Sequence, residues 1–191
     1  MSDDDLATQV RLRPVREEDL NLLDRFLTDP EACGEFQWQG WRDPRTFRRR
    51  WEDDRMLGDD KGTLMVVSDA ERLRSEGDEP LRSGDEALGF VAWRKVVTFR
   101  TSYYWNVGIQ LLPEARGRGV GTQAQRLLVR YLFAHTPVTR IEAETDTDNT
   151  AEQRALEKAG FTAEGVSRSV LFRDGQWRDG VRYGVLRGDL G

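Results

Sequence analysis

The residues best placed for chemistry lie in QLLPEARGRGVGTQAQRLLVRYL, residues 110–132. An apolar strand pattern stops at Pro113. Three alternating glycines follow, Gly117, Gly119 and Gly121, flanked by Arg116 and Arg118, and an amphipathic helix pattern begins at once. Glycines permit positive φ and let the main chain approach a ligand closely. The first N–H groups of a helix lack intrahelical acceptors and sit at the positive end of its dipole. Together with two guanidinium groups, these features form a cradle for a phosphate or diphosphate. A Walker A loop is excluded because no lysine follows the glycines. A dinucleotide fingerprint requires G-x-G-x-x-G opening an early βαβ unit, whereas G-x-G-x-G stands here late in the chain. A plain strand-to-helix turn needs neither three glycines nor two arginines.

A second group is the alternating set Glu142, Glu144 and Asp146. On a strand these share one face, opposite Ile141, Ala143 and Thr145. They read either as candidate proton acceptors, with Glu144 acting through water as the preferred base, or as a solvated strand face. The chain holds one cysteine, Cys33, and one histidine, His135. No internal disulfide, cysteine-based zinc site or histidine triad can be built from them, and no metal is expected. His135 falls at a helix end and reads as structural.

Positioning these groups requires a fold. The 191 residues favour one domain, with 38% hydrophobic and 33% charged residues, as in a globular chain with a polar surface. Net charge is −5, which disfavours nucleic acid and anionic membranes as partners and suits a cationic acceptor. The start MSDDDLATQV is no secretory signal and no apolar run spans a membrane, so a cytoplasmic location is expected.

Residues 1–8 read as a flexible terminus and 9–189 as the domain, with an exposed charged loop at 70–86. Strands are predicted at Val10–Pro14, Thr63–Ser68, Ala87–Lys95, Tyr103–Leu112, Arg140–Thr145, Phe161–Phe172 and Gly180–Leu186. The last two are joined by RDGQWRDG with a turn at Asp174-Gly175. Helices are predicted at Glu17–Thr28, from Asp43-Pro44 to about Leu57, at Gly119–Ala134, and at Asn149–Ala159 with Gly160 as its stop. Asn149-x-x-Glu152 fits a capping box, with Glu152 reaching back to the helix start. The order describes an α+β domain around a mixed sheet.

Arg116-Gly-Arg-Gly119-Val-Gly121 in this strand–turn–helix setting resembles the Q/R-x-x-G-x-G/A motif of the GNAT superfamily of acyltransferases. LRPVREEDL near the start and DTDNTAEQRALEKAGFTAEG at 146–165 are similar to the RimJ/RimL-type branch. The resemblance covers nearly the whole chain apart from 72–86. It implies a mixed, mostly antiparallel central sheet flanked by helices, with the fourth and fifth strands splayed apart. It further implies acetyl-CoA, or another acyl-CoA, as donor cosubstrate and an amine as acceptor.

Main-chain groups of Ile109, Gln110, Leu111 and Leu112 would pair with the pantetheine arm. Arg116, Gly117, Arg118, Gly119, Val120, Gly121 and Thr122 would hold the pyrophosphate. An N–H near Ile109–Leu111 would meet the acyl oxygen. Asn149 would contact the pantetheine, a role compatible with capping. Where this branch usually places a serine three residues later, Glu152 stands, and a carboxylate found on the fourth strand of some relatives is replaced by Asn106. Phe36, Trp38, Trp41 and Tyr104 would line the acceptor side.

The implied acceptor is a primary amine, such as a protein N-terminal amine, or an amino sugar or antibiotic. A catalytically silent acyl-CoA-binding module is the alternative from another class. A monomer or a homodimer is expected.

Overall fold

The structure, a computed structural model, describes residues 10–68 and 85–190. Seven strands build one sheet: β1 (Val10–Pro14), β2 (Lys61–Ser68), β3 (Glu86–Phe99), β4 (Ser102–Leu111), β5 (Arg140–Asp146), β6 (Thr162–Arg173) and β7 (Gln176–Leu186). Their order is β1-β2-β3-β4-β5-β7-β6, and a two-residue strand, Leu57–Gly58, adds to β2. Every pairing along this order is antiparallel except β4 with β5. This is the mixed sheet that the order of elements predicts, and mostly antiparallel as the family resemblance implies.

Helices cover both faces. On one, α4 (Val120–His135) and α5 (Thr150–Ala159) pack on the sheet. The α4 stripe Val120, Ala124, Leu128, Val129, Leu132 and Phe133 meets Val91, Trp105, Val107, Ile141 and Val185 in the larger core. Spacings of three and four residues place that stripe on a single helix face. On the other face, α1 (Leu20–Thr28), the single turn α2 (Pro30–Cys33) and α3 (Arg45–Asp54) cover the sheet. There Leu20, Leu23, Leu27 and Phe47 bury against Met65 and Val67. Among the described residues no helix is long and apolar enough to cross a membrane.

Several boundaries differ from the sequence expectations for local reasons. The helix expected to reach Leu57 ends at Asp54, because Arg55 and Met56 both take left-handed φ, 54° and 61°. Leu57 then joins the sheet. The third strand runs past Lys95 to Phe99 because Val96 and Val97 stay in register with Tyr104 and Tyr103 of β4.

Gln176–Asp179, expected as loop, is strand. The turn at Asp174 (φ 51°) and Gly175 (φ 74°) is two residues long, so pairing resumes at once between Arg173 and Gln176. The expectations for residues 1–8 and for most of the 70–86 loop lie outside the described residues. The loop's last two positions belong to the fold. Asp85 pairs with Arg11 and with Arg13 (3.2 Å), and Glu86 opens β3.

Candidate active site

The sheet opens where its two parallel strands part. β4 and β5 are in register only at Trp105 with Ile141 and Asn106 with Glu142. Beyond Asn106, β4 continues to Leu111 with no strand partner on that side among the described residues, while its other edge stays paired to β3 as far as Gly89 and Leu111. Val107–Leu111 therefore present a free edge of main-chain donors and acceptors to the gap. A cleft of about 570 Å³ fills this gap. Ile109, Gln110 and Leu111 form one wall and Asn149, Ala151, Glu152, Arg154, Ala155 and Lys158 of the α5 segment form another. Arg116, Gly117, Gly119, Gly121 and Thr122 close the outer end.

The glycine turn is built as the sequence requires. Gly117 and Gly119 take φ of 71° and 76°, left-handed values that strain other residues. A Cβ at Gly117 would meet nothing within 4 Å and one at Gly119 only the Gln123 amide, at 4.0 Å. Both positions thus open onto the cleft. Gly119 is the N-cap of the 16-residue α4, so the N–H groups of Val120, Gly121 and Thr122 lie in the first turn, without intrahelical acceptors. A diphosphate fits this lining: the turn is unobstructed, its amides are available and a helix dipole points into it.

The flanking arginines do something different from what the motif suggests. Arg116 donates from Nη2 to the Ala32 carbonyl (2.6 Å) and from Nε to the Leu111 carbonyl (3.0 Å). It ties α2 to the end of β4 and shapes the mouth of the cleft. Arg118 does not line the cleft, and its Nη1 donates to the Glu114 carbonyl (3.4 Å). Both guanidinium groups thus bond main-chain carbonyls, and the first-turn amides of α4 are the N–H groups without intrahelical acceptors at this end of the cleft. Leu112 and Val120 are likewise absent from the lining. The Leu112 N–H donates to the Leu88 carbonyl (2.9 Å), and both side chains are buried in cores.

On α5, Asn149 caps the helix by accepting the Glu152 N–H on Oδ1 (3.2 Å) and also lines the cleft. The reciprocal half of a capping box is missing. The Asn149 N–H donates to the Asp146 carbonyl, and the Glu152 side chain turns instead toward α4, where its Oε1 accepts from Gln125 Nε2 (2.8 Å). Burial raises the Glu152 carboxyl to about 7, against the smaller lowering effect of the Gln125 hydrogen bond.

The three carboxylates of β5 share a face, as their alternation requires, but their surroundings differ. Glu142 is buried and accepts from Arg140 Nε (2.6 Å). Asp146 is buried, pairs with Arg173 Nη2 (3.0 Å) and accepts the Asp148 N–H (2.9 Å). The reading of a wholly solvated strand face therefore fails for these two. Glu144 is exposed beside Gly180 and does not line the cleft.

Of the aromatic residues, Phe36 lines the cleft and carries the Arg173 guanidinium over its ring at 4.6 Å. Trp38 and Trp41 do not reach it. They pack edge to face at 5.7 Å across the bend at Gly40, and Trp41 is 79% exposed. Tyr104 is also outside the lining. It hydrogen-bonds the Glu142 side chain, and burial together with that carboxylate raises its phenol.

Gly34, Glu35 and Gln37 line the cleft without having been singled out in the sequence, and so does Cys33, noted there only as the single cysteine. Cys33 is buried, its Sγ accepts from Gln110 Nε2 (3.0 Å), and burial pushes its thiol up. Arg154 and Lys158 also went unnoticed. Their spacing with Ala151 and Ala155 marks one helix face, and that face follows from the position of Asn149.

Comparison with known proteins agrees with this geometry. Residues 9–162 match the acetyltransferase (GNAT) domain family. The probable N-acetyltransferase YjcK of Bacillus subtilis is 33% identical over 109 residues, 56% of this chain and 59% of its own length. The [ribosomal protein uS5]-alanine N-acetyltransferase of Escherichia coli is 30% identical over 98 residues, 50% of this chain and 49% of its own. These matches span about half the length of the two curated relatives. Spermidine N-acetyltransferase from Vibrio cholerae, solved in complex with CoA and spermine, superposes with a TM-score of 0.77 at 16% identity, covering 96% of this chain and 99% of that one. The matched domain, the parted β4 and β5 and the glycine turn lead to one conclusion: the chain belongs to the GNAT acetyltransferase family.

Proposed function

We propose that this protein transfers an acetyl group from acetyl-CoA to a primary amine, with a protein N-terminal amine as the first acceptor class. The observation that carries the reading is the continuous cleft from the left-handed glycine turn to the unpaired edge of β4. The turn holds the diphosphate on the Gly117–Thr122 amides. The free edge of Ile109–Leu111 orients the pantetheine arm by main-chain hydrogen bonds, and Asn149 supports it from α5. An N–H of that edge stabilises the oxyanion that develops at the acyl carbon.

The acceptor enters from the sheet face that carries Tyr104 and Asn106, with Phe36 lining the donor cleft. It must attack as the free amine, so its proton has to leave. Glu144, exposed on that face, receives it through water. The relative that acts on a ribosomal protein alanine supports a protein acceptor. A second reading, a polyamine acceptor, is favoured by the superposition on the enzyme bound to CoA and spermine.

A mass-resolved acetylation screen tests these readings with acetyl-CoA, N-terminal peptides, polyamines and amino sugars. Peptide products support the first class and polyamine products the second. CoA binding with no thiol release from any amine would show a silent acyl-CoA-binding module instead.

A further inference from the structure

Glu152 is a carboxyl group that the fold places in the donor cleft without a cationic partner among the described residues. It sits in the first turn of α5, partly buried, and lines the same cavity as Ile109–Leu111 and Asn149. Its hydrogen-bond partner is Gln125, six residues into the chain from Gly119, hence roughly 9 Å along α4 from the glycine cradle at 1.5 Å per residue. Glu152 thus marks the inner part of the cleft, beyond the diphosphate seat.

The charged groups facing the cleft from the other elements are Glu35 on the α2–α3 loop, Arg116 on the glycine turn, and Arg154 and Lys158 farther along α5. All four are exposed. Arg116 is spent on main-chain carbonyls.

Gln125 is itself 3% exposed, and its Oε1 has no hydrogen-bond partner among the described residues. A primary amide can serve a carboxyl group in either protonation state. Its NH₂ donates to the carboxylate, and rotated by half a turn its carbonyl accepts from the acid. The second arrangement would satisfy the orphaned oxygen. A buried carboxyl beside a neutral amide keeps its proton to unusually high pH.

Resting on the acetyl-transfer reading above, we propose that Glu152, held by Gln125, is the general acid that protonates the departing CoA sulfur. As the amine nitrogen forms its bond to the acyl carbon and the carbon–sulfur bond breaks, the Glu152 carboxyl proton passes to sulfur. Free thiol and a Glu152 carboxylate result. The carboxylate regains a proton from solvent before the next cycle, and the proton lost by the acceptor nitrogen goes out on the other face. No redox equivalent is needed.

Two measurements test this. In the first, glutamate carboxyl carbons labelled with ¹³C are titrated in the ligand-free wild type and in Glu152→Gln. One resonance with a midpoint near 7 is expected, present only in the wild type. If the resonance lost in the variant titrates in the ordinary carboxylate range, the proposal is overturned whatever the acceptor. In the second, turnover is followed by thiol release from pH 6 to 9, with CoA affinity measured by calorimetry. Glu152→Gln should lower kcat by roughly 100-fold, abolish the alkaline descending limb and leave CoA affinity within about twofold. A variant with wild-type kcat and pH profile refutes the acid role. A wild type that binds CoA yet acetylates no amine refutes the transfer reading and the acid role with it, whereas an active wild type beside an equally active Glu152→Gln variant refutes the acid role alone.

Discussion

Replacing Glu152 with glutamine should make the protein more stable in a pH-dependent way. Glutamine is isosteric with the protonated acid and can keep the bond to Gln125, so the substitution removes the ionisation and little else. The folded-state value is about 7 against an ordinary 4.5. A carboxyl raised on folding favours the folded state most where it stays protonated in both states. That contribution is complete below the unfolded value and is lost as pH rises through the folded one. One pKa unit corresponds to ~1.4 kcal/mol, so a shift of this size is worth about 2–3 kcal/mol once residual solvent access through the cleft is allowed for.

Urea unfolding of wild type and variant should therefore give similar free energies near pH 4.5. The difference should grow to about 2–3 kcal/mol in favour of the variant by pH 8 and then level off. At a typical urea dependence that shifts the midpoint by roughly 1 M. Parallel stability curves, or a variant weaker at every pH, would refute the assignment of a carboxyl desolvated beside a neutral amide.

Two further substitutions probe the frame that holds the site. Gly89 takes φ 152°, and a Cβ there would lie 2.1 Å from the Gln110 carbonyl oxygen and 2.8 Å from Leu111 Cα. Gly89→Ala should push β4 out of place, cost about 2–4 kcal/mol and weaken CoA binding at least tenfold; calorimetry with unchanged affinity would contradict this. Arg13 and Asp19 form a bidentate pair at 2.6 and 2.9 Å, with side chains only 10% and 4% exposed. Arg13→Met leaves the Asp19 carboxylate with the Arg16 N–H (2.7 Å) but without its guanidinium partner and should lower stability by about 3–5 kcal/mol, measured by urea unfolding; a loss below 1 kcal/mol would show the pair to be dispensable.

How much was legible in the sequence depended on whether the signal was local. The glycine turn, the α4 stripe, the Asp174-Gly175 hairpin and the Asn149 cap are each written within a few residues, and the structure contains all of them. What required tertiary partners was not legible. Glu152 fits a capping box by spacing, but the approach of α4 offers Gln125, 27 residues away, and the carboxyl turns there instead. Arg116 and Arg118 read as anion donors until the carbonyls of Ala32, Leu111 and Glu114 are brought beside them. Trp38 and Trp41 resemble a pocket wall by type, yet they form an edge-to-face pair outside the cleft lining. Glu142 and Asp146 alternate like a solvated face, and only the fold brings Arg173 to Asp146 and buries Glu142 beside its strand neighbour Arg140.

The central claim is that amides between β4 and α4 grip a diphosphate. Calorimetric titration of acetyl-CoA into wild type, Gly119→Glu and Gly119→Asn tests it most directly. Asparagine tolerates left-handed φ and controls for backbone strain, whereas glutamate places a carboxylate where the open space at Gly119 would receive phosphate oxygens. The wild type should bind, the asparagine variant should bind somewhat less tightly, and the glutamate variant, still folded by circular dichroism, should lose roughly 100-fold or more in affinity, about 2.7 kcal/mol. Equal affinity in all three proteins would contradict the account.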